Sequence, residues 1–332
     1  MIGKIKNTYL HIRGGFVVFD ILYPSKYWII IGAIMTVFFS FANLSYFKNK
    51  LPTDGGRAFA VDGKSAKGKP TSAGIIFIPI MIINVLLFTR VTWKFALIFP
   101  WVFLASLFGY LDDRKPWKAL TKGLTDIIIS LGSGVLAAYL FPRHIVILAL
   151  EIEFTVPLPL YILLAGILVW CSINFTNASD GVDGLCGSLS MISIFAFLLM
   201  SNFLGQTLML PTMIYTFLVL GVYLWFNCNP SELLMGDSGS QAFGVLLAFF
   251  AMASGNPFSY IIICLPMILD GGSSLFKLAI CRITKKQFMK NIRTPLHDHC
   301  RKNWGWVNQK VTERFMLIHV LIIGIYVAIL AL

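Results

Sequence analysis

Five carboxylates, Asp112, Asp113, Asp180, Asp183 and Asp237, lie at or near the ends of apolar stretches in a chain of 332 residues that is 57% hydrophobic and only 13% charged. A carboxylate next to hydrocarbon is costly, on the order of 2.5–3.5 kcal/mol for Asp at the centre of a membrane helix and less toward its ends. These five recur among Gly, Asn and Ser, which indicates a polar site open to water. Hard oxygen donors without a Cys/His cage favour Mg2+ or Mn2+ over zinc. The chemistry that fits is metal-assisted and takes place at a membrane surface.

The residues fall into five constellations. Lys67-Gly68-Lys69-Pro70-Thr71-Ser72-Ala73-Gly74 is either a flexible basic loop or a phosphate contact with close backbone approach. In Gly109-Tyr110-Leu111-Asp112-Asp113-Arg114-Lys115, adjacent side chains diverge by about 100° on a helix. One Asp can then meet a metal or phosphate while the other supports it, or both can salt-bridge a helix terminus. Asn174, Asn177, Asp180 and Asp183 lie in a segment without Lys or Arg, so local ion pairs do not explain them. Each three-residue spacing puts a pair on one helix face. Asn227 precedes Leu234-Met235-Gly236-Asp237-Ser238-Gly239-Ser240, a helix start that offers a ligand carboxylate beside free N–H groups, or simply an N-cap. Thr294-Pro295-Leu296-His297-Asp298-His299 reads as a helix start with Thr at the cap and Pro at the first position. His297 and His299, two apart, do not share a helix face and fit phosphate donors better than a zinc pair.

The elements that must position these residues are membrane helices. Mean hydropathy is +0.79, and the apolar blocks are long enough to cross a bilayer. Ten are read, near 28–46, 74–89, 94–111, 124–141, 158–176, 185–204, 208–226, 239–255, 258–281 and 314–331. The fold class is therefore all-α and polytopic. It is a single transmembrane domain over 1–332, with the site built from loops 47–73, 112–123, 174–184, 227–240 and 282–313. Nineteen of the 27 Lys and Arg residues sit in the first, third and ninth loops. That bias puts the odd-numbered loops in the cytoplasm and both termini outside. Every constellation then falls on the cytoplasmic face. A short extracytoplasmic hairpin is expected near 145–157, and residues 1–27 show no compact signal-peptide core. The net charge of +12 needs no nucleic-acid partner: either cytoplasmic retention and anionic membrane lipids account for it alone, or an anionic substrate adds to them. The six cysteines form no CxxC pair, and disulfides are not expected.

In order, the segments KPTSAG, LDDR, NFTNASDGVDGL, MGDSGS and PLHDHC resemble the motif series of the polyprenyl-phosphate N-acetylhexosamine-1-phosphate transferases. Within them the chain is most similar to the phospho-N-acetylmuramoyl-pentapeptide transferases, over about residues 64 to 315. The resemblance implies ten helices with both termini outside, residence in the bacterial cytoplasmic membrane and a homodimer. It implies Mg2+-dependent transfer, with Mn2+ as a possible substitute, of phospho-MurNAc-pentapeptide from UDP-MurNAc-pentapeptide to undecaprenyl phosphate. The products are lipid I and UMP. It makes Asp237 the metal ligand and a catalytic residue, with Asp112, Asp113, Asp180 and His297 also catalytic. It makes Lys67, Thr71, Asn174, Asn177, Asp183, Asn227, Leu234 and His299 substrate-binding. Asn177 and Asp180 match the pyrophosphate region and Asp183 the uridine side.

Departures from the family pattern are confined to a few positions. Asp298 replaces a middle histidine, and Leu234 stands where an aromatic often stacks on uracil. Pro116 replaces a lysine, for which Lys115 or Lys118 is the substitute. Asp270-Gly271-Gly272 replaces a common glutamine. Lys67 is chosen over Lys64 as the upstream lysine. The rival readings are a sister enzyme using UDP-GlcNAc or another UDP-HexNAc and, from a different class, a cation-coupled transporter. A transporter would hold its carboxylates near mid-membrane.

Overall fold

The computed structural model describes residues 25–56, 66–147, 150 and 152–331. The reading of the N-terminal segment, and Lys64, lie outside them. The helices are α1 (Ser25–Phe47), α2 (Gly74–Phe88), α3 (Ile98–Arg114), α4 (Ala119–Leu140), α5 (Leu158–Ser179), α6 (Leu185–Phe203), α7 (Leu210–Asn227) and α8 (Gly236–Ala253). A segmented stretch follows as α9 (Ser259–Ile263), α10 (Leu265–Met267), a π-helical turn at Ile268–Gly272 and α11 (Ser273–Thr284). Two further helices are α12 (Leu296–Trp304) and α13 (Asn308–Ala331). Between α4 and α5, β1 (His144–Ile147) pairs antiparallel with β2 (Ile152–Thr155), which forms the expected hairpin.

Seven of the described helices are long and apolar enough to cross a membrane. The other three blocks read as spans fall short of that length, apolar character or continuity. α2 is a shorter apolar helix of 15 residues. α8 opens with the polar run Gly-Asp-Ser-Gly-Ser-Gln, which dilutes its apolar character. The block at 258–281 is broken rather than continuous. Pro266 at the start of α10 and the Gly271-Gly272 pair in the π turn interrupt the regular ladder.

Packing is centred on α8. Every residue from Gly236 to Met252 is buried, and α2, α3, α5 and α6 contact the helix. A helix buried all round and enclosed by others belongs to a core. At the periphery, α1 and α13 present exposed Phe38, Leu317, Leu321 and Ile325, the pattern of a lipid-facing surface. At the hairpin end, Val146 N–H donates to Gly255 O at 3.2 Å, tying β1 to the end of α8. At the other end, a Cβ on Gly109 would overlap the Asp237 backbone, so only glycine lets α3 close on the start of α8.

Candidate active site

The start of α8 organises the site. A helix N-terminus leaves unpaired N–H groups and a positive end, and the residue preceding α8 supplies no side-chain cap. Asp113, from the end of α3, caps it from across the interface. Its Oδ1 accepts from Asp237 N–H at 3.0 Å and its Oδ2 from Ser238 N–H at 3.4 Å. The Ser72 hydroxyl donates to the same Oδ2 at 2.6 Å. Gly236 has φ 68°, and a Cβ there would overlap Asp113 Oδ2 and lie 2.7 Å from Ser72 N. Thr71 is buried in the same seam, its N–H donating to Pro52 O at 2.8 Å. Three segments distant in sequence thus interlock around one carboxylate.

Asp112 faces elsewhere, as the helical step requires. Trp117 N–H donates to its Oδ1 at 2.6 Å, and its Oδ2 lies 3.2 Å from Lys122 Nζ. Lys122, in the first turn of α4, also donates to Asp237 Oδ2. The other Asp237 oxygen accepts from Asn177 Nδ2 at 2.7 Å, and that amide lies 3.1 Å from Ser240 Oγ. Asp112 and Asp237 therefore converge on a single cationic position. Asp126, one turn beyond Lys122, is buried beneath it.

A second cluster lies beside the first. Asp183 accepts from Ser231 Oγ at 2.8 Å and Ser231 N–H at 3.1 Å, and lies 3.6 Å from Lys69 Nζ. Lys69 also donates to Ser231 Oγ at 2.9 Å. Asn227 is buried and serves the backbone. Its Oδ1 accepts from Gly184 N–H at 2.9 Å and its Nδ2 donates to Leu233 O at 2.8 Å. Leu234 bridges by main chain, its N–H to Pro70 O at 2.8 Å and its carbonyl to Ala73 N–H at 3.2 Å.

A third cluster closes the site from the C-terminal side. Asp270, in the π turn, is fully buried. Its Oδ1 accepts from His297 N–H and its Oδ2 pairs with His297 Nδ1, both at 2.8 Å. Nε2 of His297 abuts Gly181, where a Cβ would overlap it. Asp298 Oδ1 lies 3.4 Å from an Arg301 guanidinium nitrogen, which also donates to Gly181 O at 3.4 Å.

The remaining candidates are placed less centrally. Asp180 caps the C-terminus of α5, half-buried, between Asn177 and Gly181. Asn174 donates back to Trp170 O of its own helix at 2.9 Å. Lys67 is exposed, and it is Lys69 that reaches the Asp183 cluster. His299 packs edge-on against Trp304 in an apolar groove, its Nδ1 accepting from Arg293 N–H at 3.2 Å. The helix there begins at Leu296 with Pro295 in the capping place, one residue later than the Thr-Pro pattern suggests. Sequence reasoning missed Lys122, Asp126 and the Asp270 contact. The available signal was a Lys and an Asp four apart in the first turns of an apolar block.

Among the described residues no three His, Cys, Asp or Glu side chains lie close enough to hold a metal alone. Two carboxylates that meet at one ammonium, with the Ser240 hydroxyl adjacent, suit a hard divalent cation such as Mg2+. That ion is commonly held by one or two carboxylates, its other ligands coming from water and substrate phosphates.

Residues 95–255 match glycosyl transferase family 4. Over 335 residues the chain is 34% identical to the phospho-N-acetylmuramoyl-pentapeptide-transferase of Treponema pallidum (strain Nichols), covering 94% of this chain and 91% of the relative. It is 28% identical to the transferase of the same name from Campylobacter lari, over 95% and 93% of the two chains. The corresponding Rickettsia rickettsii protein is 30% identical over 76% of this chain and 77% of its own.

Proposed function

The chain belongs to the phospho-N-acetylmuramoyl-pentapeptide transferases, and from that membership we propose that it moves phospho-MurNAc-pentapeptide from UDP-MurNAc-pentapeptide to undecaprenyl phosphate. The products are lipid I and UMP. The observation that carries this reading is the convergence of Asp112 and Asp237 on Lys122, beside Asn177 and a capped helix start.

An oxygen of the lipid phosphate bonds to the sugar-bearing phosphorus. The bond from that phosphorus to the bridging oxygen breaks, and UMP leaves with the electron pair. Asp112, fixed by Trp117 N–H, orients the attacking phosphate or takes its proton. Lys122 places positive charge where the diphosphate's negative charge must sit. Asn177 holds the Asp237 carboxylate in one orientation, and Asp113 holds the helix that carries it. Lys69, Ser231 and Asp183 form a polar wall on the nucleotide side. Asp237 and Asp112 are the residues that would hold Mg2+, which when bound neutralises diphosphate charge and stabilises the leaving group.

The site lies on the cytoplasmic face of the bacterial cytoplasmic membrane. The chain crosses ten times with both termini outside, and the enzyme works as a homodimer. Seven long apolar helices plus α2, α8 and the segmented stretch support ten crossings. The bias of Lys and Arg toward the loops that carry the site supports the orientation. UMP release by purified protein with undecaprenyl phosphate and Mg2+ tests the function. Turnover with UDP-MurNAc-pentapeptide and none with UDP-GlcNAc is expected. The reverse preference assigns the sister activity, and solute uptake into proteoliposomes without UMP release assigns a transporter.

A further inference from the structure

We infer that Asp270 is a positioning residue that fixes the proton of the His297 ring on Nδ1, so that bare Nε2 faces the Asp180–Asp183 loop; this rests on the transferase reading of that loop. Asp270 has one use in the fold that is visible from its surroundings. It is fully buried in an otherwise apolar stretch, and both its oxygens are taken by one residue. The backbone N–H of His297 can only donate, so Oδ1 is committed to it. Oδ2, an acceptor when ionised, then requires N–H at Nδ1. A buried carboxylate without these two donors would be costly.

The π turn explains how the carboxylate gets there. It carries Asp270 inward while Gly271 and Gly272 press on α5. A Cβ on Gly271 would overlap Phe175 O, and one on Gly272 would lie 2.9 Å from the Phe175 ring. π turns of this kind recur at functional sites. The far side of the imidazole is equally constrained. Nε2 meets Gly181, between Asp180 and Asp183, and lies 3.7 Å from Asp298 Oδ1, itself paired with Arg301. Ring orientation and tautomer are therefore set from one side by Asp270, and the loop is placed from the other.

Asp270→Asn separates this role from simple packing. The amide oxygen must stay with His297 N–H, so the NH2 faces Nδ1. Nδ1 then has to accept, and the ring proton moves to Nε2. Nitrogen-15 NMR of histidine-labelled full-length protein in nanodiscs, at a pH where the ring is neutral, reads this directly. The His297 signals are assigned by their loss in His297→Gln. The wild type is expected to show Nδ1–H and Asp270→Asn to show Nε2–H. Turnover should fall about 10- to 100-fold in kcat, with little change in KM. Asp270→Glu, which keeps two acceptors, should retain the wild-type tautomer and recover most of kcat. In a His297→Gln background, Asp270→Asn should add no further loss. The same tautomer in wild type and Asp270→Asn, or a reversed tautomer with unchanged kcat, overturns the assignment. If the wild type releases no UMP the transferase reading fails, yet the tautomer remains measurable.

Discussion

Asp112 and Asp113 are neighbours in sequence with separate tasks, and substituting each by Asn should separate them. Asp113 accepts three hydrogen bonds, from Ser72 Oγ and from the N–H groups of Asp237 and Ser238. Asn keeps one acceptor oxygen and turns an NH2 toward the Ser72 hydroxyl, which can accept it, and toward Ser238 N–H, which can only donate. One charge-assisted bond is lost and one N–H at a buried helix start is left unpaired, at a cost of about 2–4 kcal/mol. For a chain of 332 residues that corresponds to roughly 3–6 °C in Tm. Asp112 has one backbone donor and the ammonium of Lys122, which keeps Asp237 as a partner. Asp112→Asn should change stability by about 1 kcal/mol or less, while kcat falls about 100-fold or more. Differential scanning fluorimetry in detergent, beside UMP release at saturating substrates, measures both quantities. If Asp113→Asn keeps its Tm while Asp112→Asn loses stability and keeps kcat, the division of labour is refuted.

Chelation by EDTA should abolish turnover and Mg2+ or Mn2+ restore it, with Asp237→Asn inactive but folded; full turnover in chelator contradicts the metal role. Lys122→Met removes the ammonium that Asp112 and Asp237 share, and with it the positive charge placed for the diphosphate, so kcat should fall about 100-fold or more. Activity near that of the wild type would remove Lys122 from the reaction. Lys69→Met should raise the KM for the sugar nucleotide with kcat nearly unchanged, whereas Lys67→Met should leave both as they are; the opposite result returns the role to Lys67. Gly236→Ala must adopt φ 68° and overlap Asp113, so a loss of about 2–4 kcal/mol in thermal denaturation is expected, and an unchanged Tm contradicts the seam.

The site was legible where polarity contradicted its surroundings. Asp180, Asp183 and Asp237 stand out because no nearby Lys or Arg accounts for them in sequence, and Asn177 shares their context. Their partners were harder to see. Lys122 reads as one more loop lysine, and only the start of α4 at Ala119 brings it over Asp237. Lys67 and Lys69 are equivalent in a one-dimensional pattern, and the Thr53–Pro70 bridge favours Lys69 by setting the strand direction there. Asp270 was hidden because the break that carries it inward depends on Gly271 and Gly272 meeting Phe175, a contact about 100 residues away in the chain. The hairpin was legible because Glu151 and Glu153 interrupt an apolar stretch that Pro157 and Pro159 close. The segmentation after α9 was not, because hydropathy registers apolar content and not hydrogen-bond continuity.

The enclosure of α8 determines where this molecule is free to change. A helix with no exposed residue from Gly236 to Met252 offers little room for a larger side chain, since each added methylene must displace a neighbour. The outward faces of α1 and α13 ask only for an apolar residue of any shape. Drift, labels and fusion partners belong on those outer helices. A shift in donor specificity would have to come from the Lys69, Ser231 and His297 segments, which surround the central helix without being part of it.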